Sequence, residues 1–283
     1  MAHQLLQLSA KVFNTPQLIS LPNMQMVADL LFSRNLGETS LALMPDDRKP
    51  KGEPKKSYSY SQQDRVGVVD IKGVLTDVKF EALCGEAACS YEQLQEDFRT
   101  MIDLGAETIV MEVNSGGGAA FSCFESALAC KVMAQDAGTK IVAYVNGCAF
   151  SAAYAWTSIA DEIIVNPMSE VGSIGVVTQL YNTSRLEKEN GIDRVYLYAG
   201  KNKIPFDKNG DFREEFLASI QEKIDVFYED FVEFEAEMLG IDTQVIRDTE
   251  AGTFLPEKAL ALGLIDKVMT KNDFISYIFK GNN

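Results

Sequence analysis

The sequence predicts an α/β protein built on a largely parallel sheet with helices on its faces. Three observations lead there. From about Val66 onward, short β-branched runs alternate with amphipathic stretches of helical length, the pattern of successive βαβ units. Glycine turns stand at the strand-to-helix junctions, at 116–118 and at 147. A chain of 283 residues with 46% apolar and 24% charged content has enough material for one large core and no low-complexity tract.

Three regions divide the chain. Residues 1–36 form a small N-terminal extension, in which Met24 to Arg34 reads as an amphipathic helix after the Asn-Thr-Pro and Leu-Pro-Asn turns. Residues 37–64 include the polar, proline-rich run Pro45 to Lys56 and read as a linker or arm. Residues 65–283 form the main domain. There Val66–Ile71 is a buried strand and Tyr91 to Leu104 a helix, and Thr108–Val113 is the next strand. A helix runs through Phe124 to Gln135, followed by a strand at Lys140–Val145, a short helix from Ala152 to Ile159 and a strand at Glu162–Val165. Val195 to Tyr198 reads as a further strand. Asp211 to Leu239 is a long helix whose stripe of Phe216, Ile220, Ile224, Phe227, Phe231, Phe234 and Met238 marks a core or subunit contact. The segment Phe80 to Ser90 is rich in Cys, Ala and Gly, and is either a lid or a plain loop.

Charge and residue counts exclude several function classes. A net charge of −15, spread along the chain, leaves no basic face for nucleic acid and repels anionic membrane. No apolar run is long enough to span a bilayer, and the N-terminus lacks a signal-peptide pattern. The expected location is the cytoplasm. Five cysteines, an odd number, favour reduced thiols over a disulfide framework. Cys84 and Cys89 lack the spacing of a zinc knuckle, so neither a metal nor a cofactor is expected. The single histidine, His3, sits at the extreme N-terminus, which all but removes Ser-His-Asp, Cys-His and His-metal chemistry.

Two glycine turns carry the remaining chemistry. In Asn146-Gly-Cys-Ala-Phe-Ser151-Ala-Ala, a strand ends, the chain turns, and Ser151 opens a helix. A hydroxyl there lies at the positive helix end, with the N–H of Ala152 available to an oxyanion. Plain N-capping is the commoner use of serine at such a position, and this window alone favours it. In Asn114-Ser-Gly-Gly-Gly118, exposed N–H groups of Gly117 or Gly118 offer a second oxyanion donor, although three glycines also suit a phosphate or a simple turn. A nucleophilic serine needs a base, and without histidine that base is a lysine. Its pKa must fall from about 10.4 by roughly three units, about 4 kcal/mol, through burial. Lys201 and Lys203 are both candidates; Lys203, beside Ile204 and Pro205, is better placed for burial, and composition does not decide between them.

Resemblance adds to this reading. Gly147 to Tyr154, Ile159-Ala-Asp161, Asn166-Pro167, Val171-Gly-Ser-Ile-Gly-Val176, Asn114 to Gly118 and Gly252 to Asp266 together resemble the signal peptide peptidase A family, in order over roughly residues 66–270. That family is similar in fold to the Clp protease subunit and the crotonases, so the resemblance implies a βαβ spiral core. Position by position it implies Ser151 as nucleophile, Lys203 as base and Ser173 as the residue orienting the lysine. It further implies an oxyanion hole from Gly117 or Gly118 with Ala152. Gly116 stands where the family usually has proline, and Ala152-Ala153 where it usually has two glycines. The leader Phe13 to Pro22 resembles the bacteriophage head-maturation branch, whose members act inside procapsids on scaffold, portal or coat protein. The expected substrate is therefore protein, and the expected assembly a ring or other homo-oligomer in which a neighbouring subunit completes the site or its groove. A bacterial soluble peptidase of the same family, a crotonase-like acyl-CoA enzyme, and an inactive assembly scaffold are the alternatives.

Overall fold

The computed structural model of the chain describes residues 16–20, 24, 57–79 and 88–280. His3, Cys84, the body of the helix expected after Met24, the linker up to residue 56 and the stretch 80–87 lie outside the described residues.

The expected α/β architecture is present. Parallel strands β3 (Val66–Lys72), β6 (Thr108–Ser115) and β8 (Lys140–Phe150) form the centre of the main sheet. β8 is longer than its sequence pattern indicated, and its two halves have different partners. Val142–Val145 pairs in parallel with β9 (Glu162–Val165), whereas Cys148–Phe150 pairs in parallel with β10 (Glu170–Gly172). The outer strands are β2 (Tyr58–Ser61), antiparallel to β3, β11 (Thr253–Phe254), antiparallel to β10, and β12 (Lys267–Val268), parallel to β9. Pairing in the main sheet thus begins at Tyr58, inside the stretch read as linker.

A second, small sheet has the order β1 (Gln17–Ile19), β7 (Gly117–Ala119), β4 (Leu75–Thr76), β5 (Cys89–Ser90). It ties the N-terminal segment to the glycine turn that follows β6. The remainder of the Phe80–Ser90 segment that is described, at its C-terminal end, is therefore strand rather than loop.

Helices α1 (Tyr91–Asp103), α2 (Cys123–Ala137) and α3 (Ala152–Ser158) lie where the strand–helix alternation predicts. The core between them and the sheet is apolar and closed. Trp156 of α3 is fully buried, stacked on Tyr91 at 5.8 Å and edge-on to Phe98 at 6.4 Å. Beyond lie α4 (Ser184–Glu189), α5 (Glu214–Leu239), α6 (Thr243–Arg247), α7 (Pro256–Ala261) and α8 (Lys271–Lys280). Within the α5 stripe Ile220, Phe231 and Phe234 are buried, Phe227 meets Phe121 edge-on at 5.5 Å, and Phe124 packs on both Phe231 and Phe234. No helix among the described residues is long and apolar enough to cross a membrane.

One expectation fails outright. Val195–Tyr198 is not a strand in this chain; it runs as irregular backbone, with Val195 79% and Leu197 95% exposed. Alternating β-branched and aromatic residues fit a strand only where a neighbouring strand supplies the ladder, and none among the described residues pairs with them here.

Candidate active site

Ser151 sits at the junction of β8 and α3, and the local sequence explains how it is aimed. Between Val145 and Ala149 the β8 register slips against β6, where Val113 and Ser115 are the matching residues. Such a bulge bends a strand and redirects the side chains beyond it. Gly147 lies inside the bulge at φ 129°, and a Cβ there would come within 2.2 Å of Asn114 Oδ1. Only glycine fits. The bulge is held by two side chains: Ser169 Oγ accepts from Gly147 N–H at 2.8 Å, and Asn114 Oδ1 accepts from Cys148 N–H at 3.2 Å.

At the bend, Ser151 adopts φ 55°, ψ −120°, a sparsely populated conformation for a residue with a side chain, at a cost of order 1–3 kcal/mol. Its N–H donates to Gly172 O at 2.9 Å, which helps to fix the strained backbone. Its hydroxyl makes no capping bond to α3; it donates instead to Gly175 O at 3.3 Å. Ser90 behaves in the opposite way: its Oγ accepts from Gln93 N–H at 3.1 Å and caps α1 in the ordinary manner. The capping explanation of Ser151 is therefore not met, although the residue heads a helix.

The second glycine turn lies alongside. A Cβ on Gly117, at φ 96°, would lie 3.1 Å from Ser151 Cβ and 2.9 Å from Phe150 O. Gly117 and Ser151 are thus neighbours. Gly117 N–H donates to Ser115 Oγ at 3.1 Å, and that hydroxyl in turn donates to Gly73 O at 2.6 Å. Gly118 lies within β7, opposite Leu18 on one side and Leu75 on the other. Ala152 is the first residue of α3, so its N–H has no intrahelical acceptor.

Ser173 is at φ 56°, its N–H donating to Gly252 O at 2.8 Å, two residues before the carbonyl that holds the Ser151 hydroxyl. Lys203 is elsewhere. It ends an exposed 3-10 turn, Lys201–Lys203, and among the described residues no hydrogen bond joins it to Ser151 or Ser173. The single chain therefore brings together Ser151, Gly117, Gly118, Ala152 and Ser173, and leaves Lys203 on the surface. Sequence reasoning missed Asn114 as the clamp between the two glycine turns. Its position immediately before Ser115 and the glycines was the available signal.

The cysteines near the site are not competing nucleophiles. Burial pushes Cys123 to about 12, and burial together with the Glu170 charge raises Cys148, so neither is a thiolate at neutral pH.

The profile of Peptidase family S49 matches residues 133–282, which include Ser151, Ser173 and Lys203. The chain belongs to peptidase family S49. Among curated relatives, "Capsid assembly protease C" of Escherichia phage lambda is 23% identical over 84% of this chain and 53% of its own length. "Probable protease SohB" of Haemophilus influenzae is 26% identical over 68% of this chain and 55% of its own. The chain thus spans about half the length of these relatives. Among solved structures, a point mutant of ClpP1 from Listeria monocytogenes aligns over 75% of this chain and 95% of its own, at 13% identity with a TM-score of 0.47.

Proposed function

We propose that this S49 chain is a serine endopeptidase in which Ser151 is the nucleophile and Lys203 the base. The observation that carries the reading is the Ser151 junction: a strained serine at a helix start that does not cap the helix and lies beside Gly117. Strain of that kind is retained where a reactive group must be presented. In the first step Ser151 Oγ bonds to the scissile carbonyl carbon while neutral Lys203 takes its proton. The N–H groups of Ala152 and of Gly117 or Gly118 hold the resulting oxyanion; losing one such donor costs about 10²–10³ in rate. The carbon–nitrogen bond then breaks, Lys203 returns the proton to the leaving amine, and water releases the acyl group from Ser151. Ser173 orients the lysine.

Because Lys203 is exposed in the single chain, the dyad is completed by a second copy. The segment that carries it supports this: Ile192, Val195, Leu197 and Tyr198 all project into solvent, an apolar run that a partner would cover. The likeness to a phage capsid assembly protease, with the leader resemblance and the acidic composition, favours a role in processing scaffold, portal or coat protein during head assembly. The likeness to "Probable protease SohB" supports a bacterial peptidase as second reading. The test is cleavage of an unfolded protein by wild type, Ser151→Ala and Lys203→Ala, with products read by mass spectrometry. Cleavage lost in both folded variants supports the dyad; cleavage retained in Ser151→Ala refutes it.

A further inference from the structure

The N-terminal segment does more than lead into the fold. Gln17–Ile19 pairs antiparallel with Gly117–Ala119, placing Gln17 opposite Ala119, Leu18 opposite Gly118 and Ile19 opposite Gly117. On its other edge, Gln17 N–H donates to Val177 O at 2.9 Å and Val177 N–H donates back to Gln17 O at 3.0 Å. Ser20 N–H donates to Gly116 O at 2.9 Å. The segment is therefore an inserted strand, hydrogen-bonded on both edges to walls that belong to the candidate site. One wall is the glycine turn; the other, Val177, follows Ser173 and Gly175.

Its position relative to the nucleophile is close. The same point that lies 3.1 Å from Ser151 Cβ, the place a Gly117 side chain would occupy, lies 2.3 Å from the Leu18 carbonyl oxygen. The missing side chain of Gly117 is thus what lets a peptide carbonyl approach Ser151. Leu18 and Ser151 are both 0% exposed, and Gln17, Ile19 and Ser20 are buried as well. A nucleophile at zero exposure meets no substrate until something beside it leaves. Strand addition through main-chain bonds is a general way of holding an extended peptide.

We infer that residues 17–20 occupy, in cis, the slot into which an extended peptide substrate binds, so that the chain caps its own nucleophile. This rests on the reading of Ser151 as the reactive group. The slot accepts an extended backbone of any sequence and, at the Leu18 position, a buried aliphatic side chain. A tethered occupant competes at high effective concentration, and an outside peptide binds only when the cap is displaced.

The test uses the full chain with Ser151→Ala, so that binding is read without catalysis. The probe is a fluorescent peptide with the sequence of residues 13–23, followed by anisotropy. Leu18→Glu places a charge where the strand is buried and releases it. As a second variant, Gln17→Cys with Val177→Cys locks the strand by a disulfide, since hydrogen-bonded antiparallel pairs have Cα atoms about 5.5 Å apart. Circular dichroism checks that each variant is folded. Release by Leu18→Glu, or reduction of the locked chain, is expected to tighten probe binding about tenfold or more. In chains that retain Ser151, release raises hydrolysis and locking suppresses it until dithiothreitol is added. Equal probe binding by locked and reduced chains overturns the inference, as does hydrolysis at full rate by the locked chain. If no variant hydrolyses any substrate while the binding pattern holds, the protease reading fails and the occupied slot stands.

Discussion

At the scale of single residues, the site depends on a few positions where only one side chain fits. Ser151 has lost the role a serine usually has at a helix start, because the bulge before it rotates its hydroxyl toward Gly175 rather than toward α3. Gly147 makes the bulge possible, so Gly147→Ala is expected to destabilise the fold by about 1–3 kcal/mol, seen as a lower urea midpoint with unchanged slope. Glu235 gives a pH signature. It is wholly buried, neither carboxylate oxygen has a hydrogen-bond partner among the described residues, and burial raises its pKa from 4.5 to about 8. The Ser158 hydroxyl, which donates to Ala155 O at 3.0 Å, offsets this only in part. Below pH 4.5 the carboxyl is protonated in folded and unfolded chains alike, and its burial is tolerated. As pH rises toward about 8 the unfolded chain ionises and the folded one does not, so stability is lost by up to about 1.4 kcal/mol per pH unit. Denaturant melts should show that loss in wild type, and Glu235→Gln should remove it; an unchanged slope in the variant contradicts the account.

Elements differ in how much of them the sequence disclosed. β3, β6, β9 and the helices α1 to α3 were legible because their periodicities are local and their burial simple. The glycine turns were legible as turns, but the conformation at 151 was not: a serine at the head of a helix looks the same in sequence whether or not its hydroxyl caps. Three features were hidden because each depends on a distant partner. The extension of β8 to Phe150 depends on β10, and β2 depends on β3. The insertion of residues 17–20 depends on a turn about a hundred residues away, and nothing in Gln-Leu-Ile-Ser announces it. Conversely Val195–Tyr198 carried a strand pattern with no strand to join. At this scale α5 offers a test of packing. Phe231 is buried against Phe124 whereas Val226 is exposed, so Phe231→Ala should cost about 3–5 kcal/mol and Val226→Ala less than about 0.5, both read from thermal melts.

For the whole molecule, the central feature is that one chain sets a strained Ser151 beside the Gly117 turn and the 17–19 strand, yet leaves Lys203 in solvent. In the proposed dyad a second copy supplies the lysine. If each site takes its serine from one chain and its lysine from another, mixing inactive Ser151→Ala with inactive Lys203→Ala chains regenerates complete sites. Random pairing of equal amounts predicts recovery of about one quarter of wild-type activity. Family membership was readable from ordered motifs spread over the chain, whereas the proposed division of labour was not, since no single sequence shows which face meets another copy.

The most direct test of the central claim is covalent labelling with a serine-reactive phosphonate, read by intact mass and peptide mapping. One adduct per chain is expected, on Ser151, absent in Ser151→Ala and formed far more slowly in Lys203→Ala. An adduct that forms at the same rate in Ser151→Ala, or that maps to another serine, would contradict the assignment.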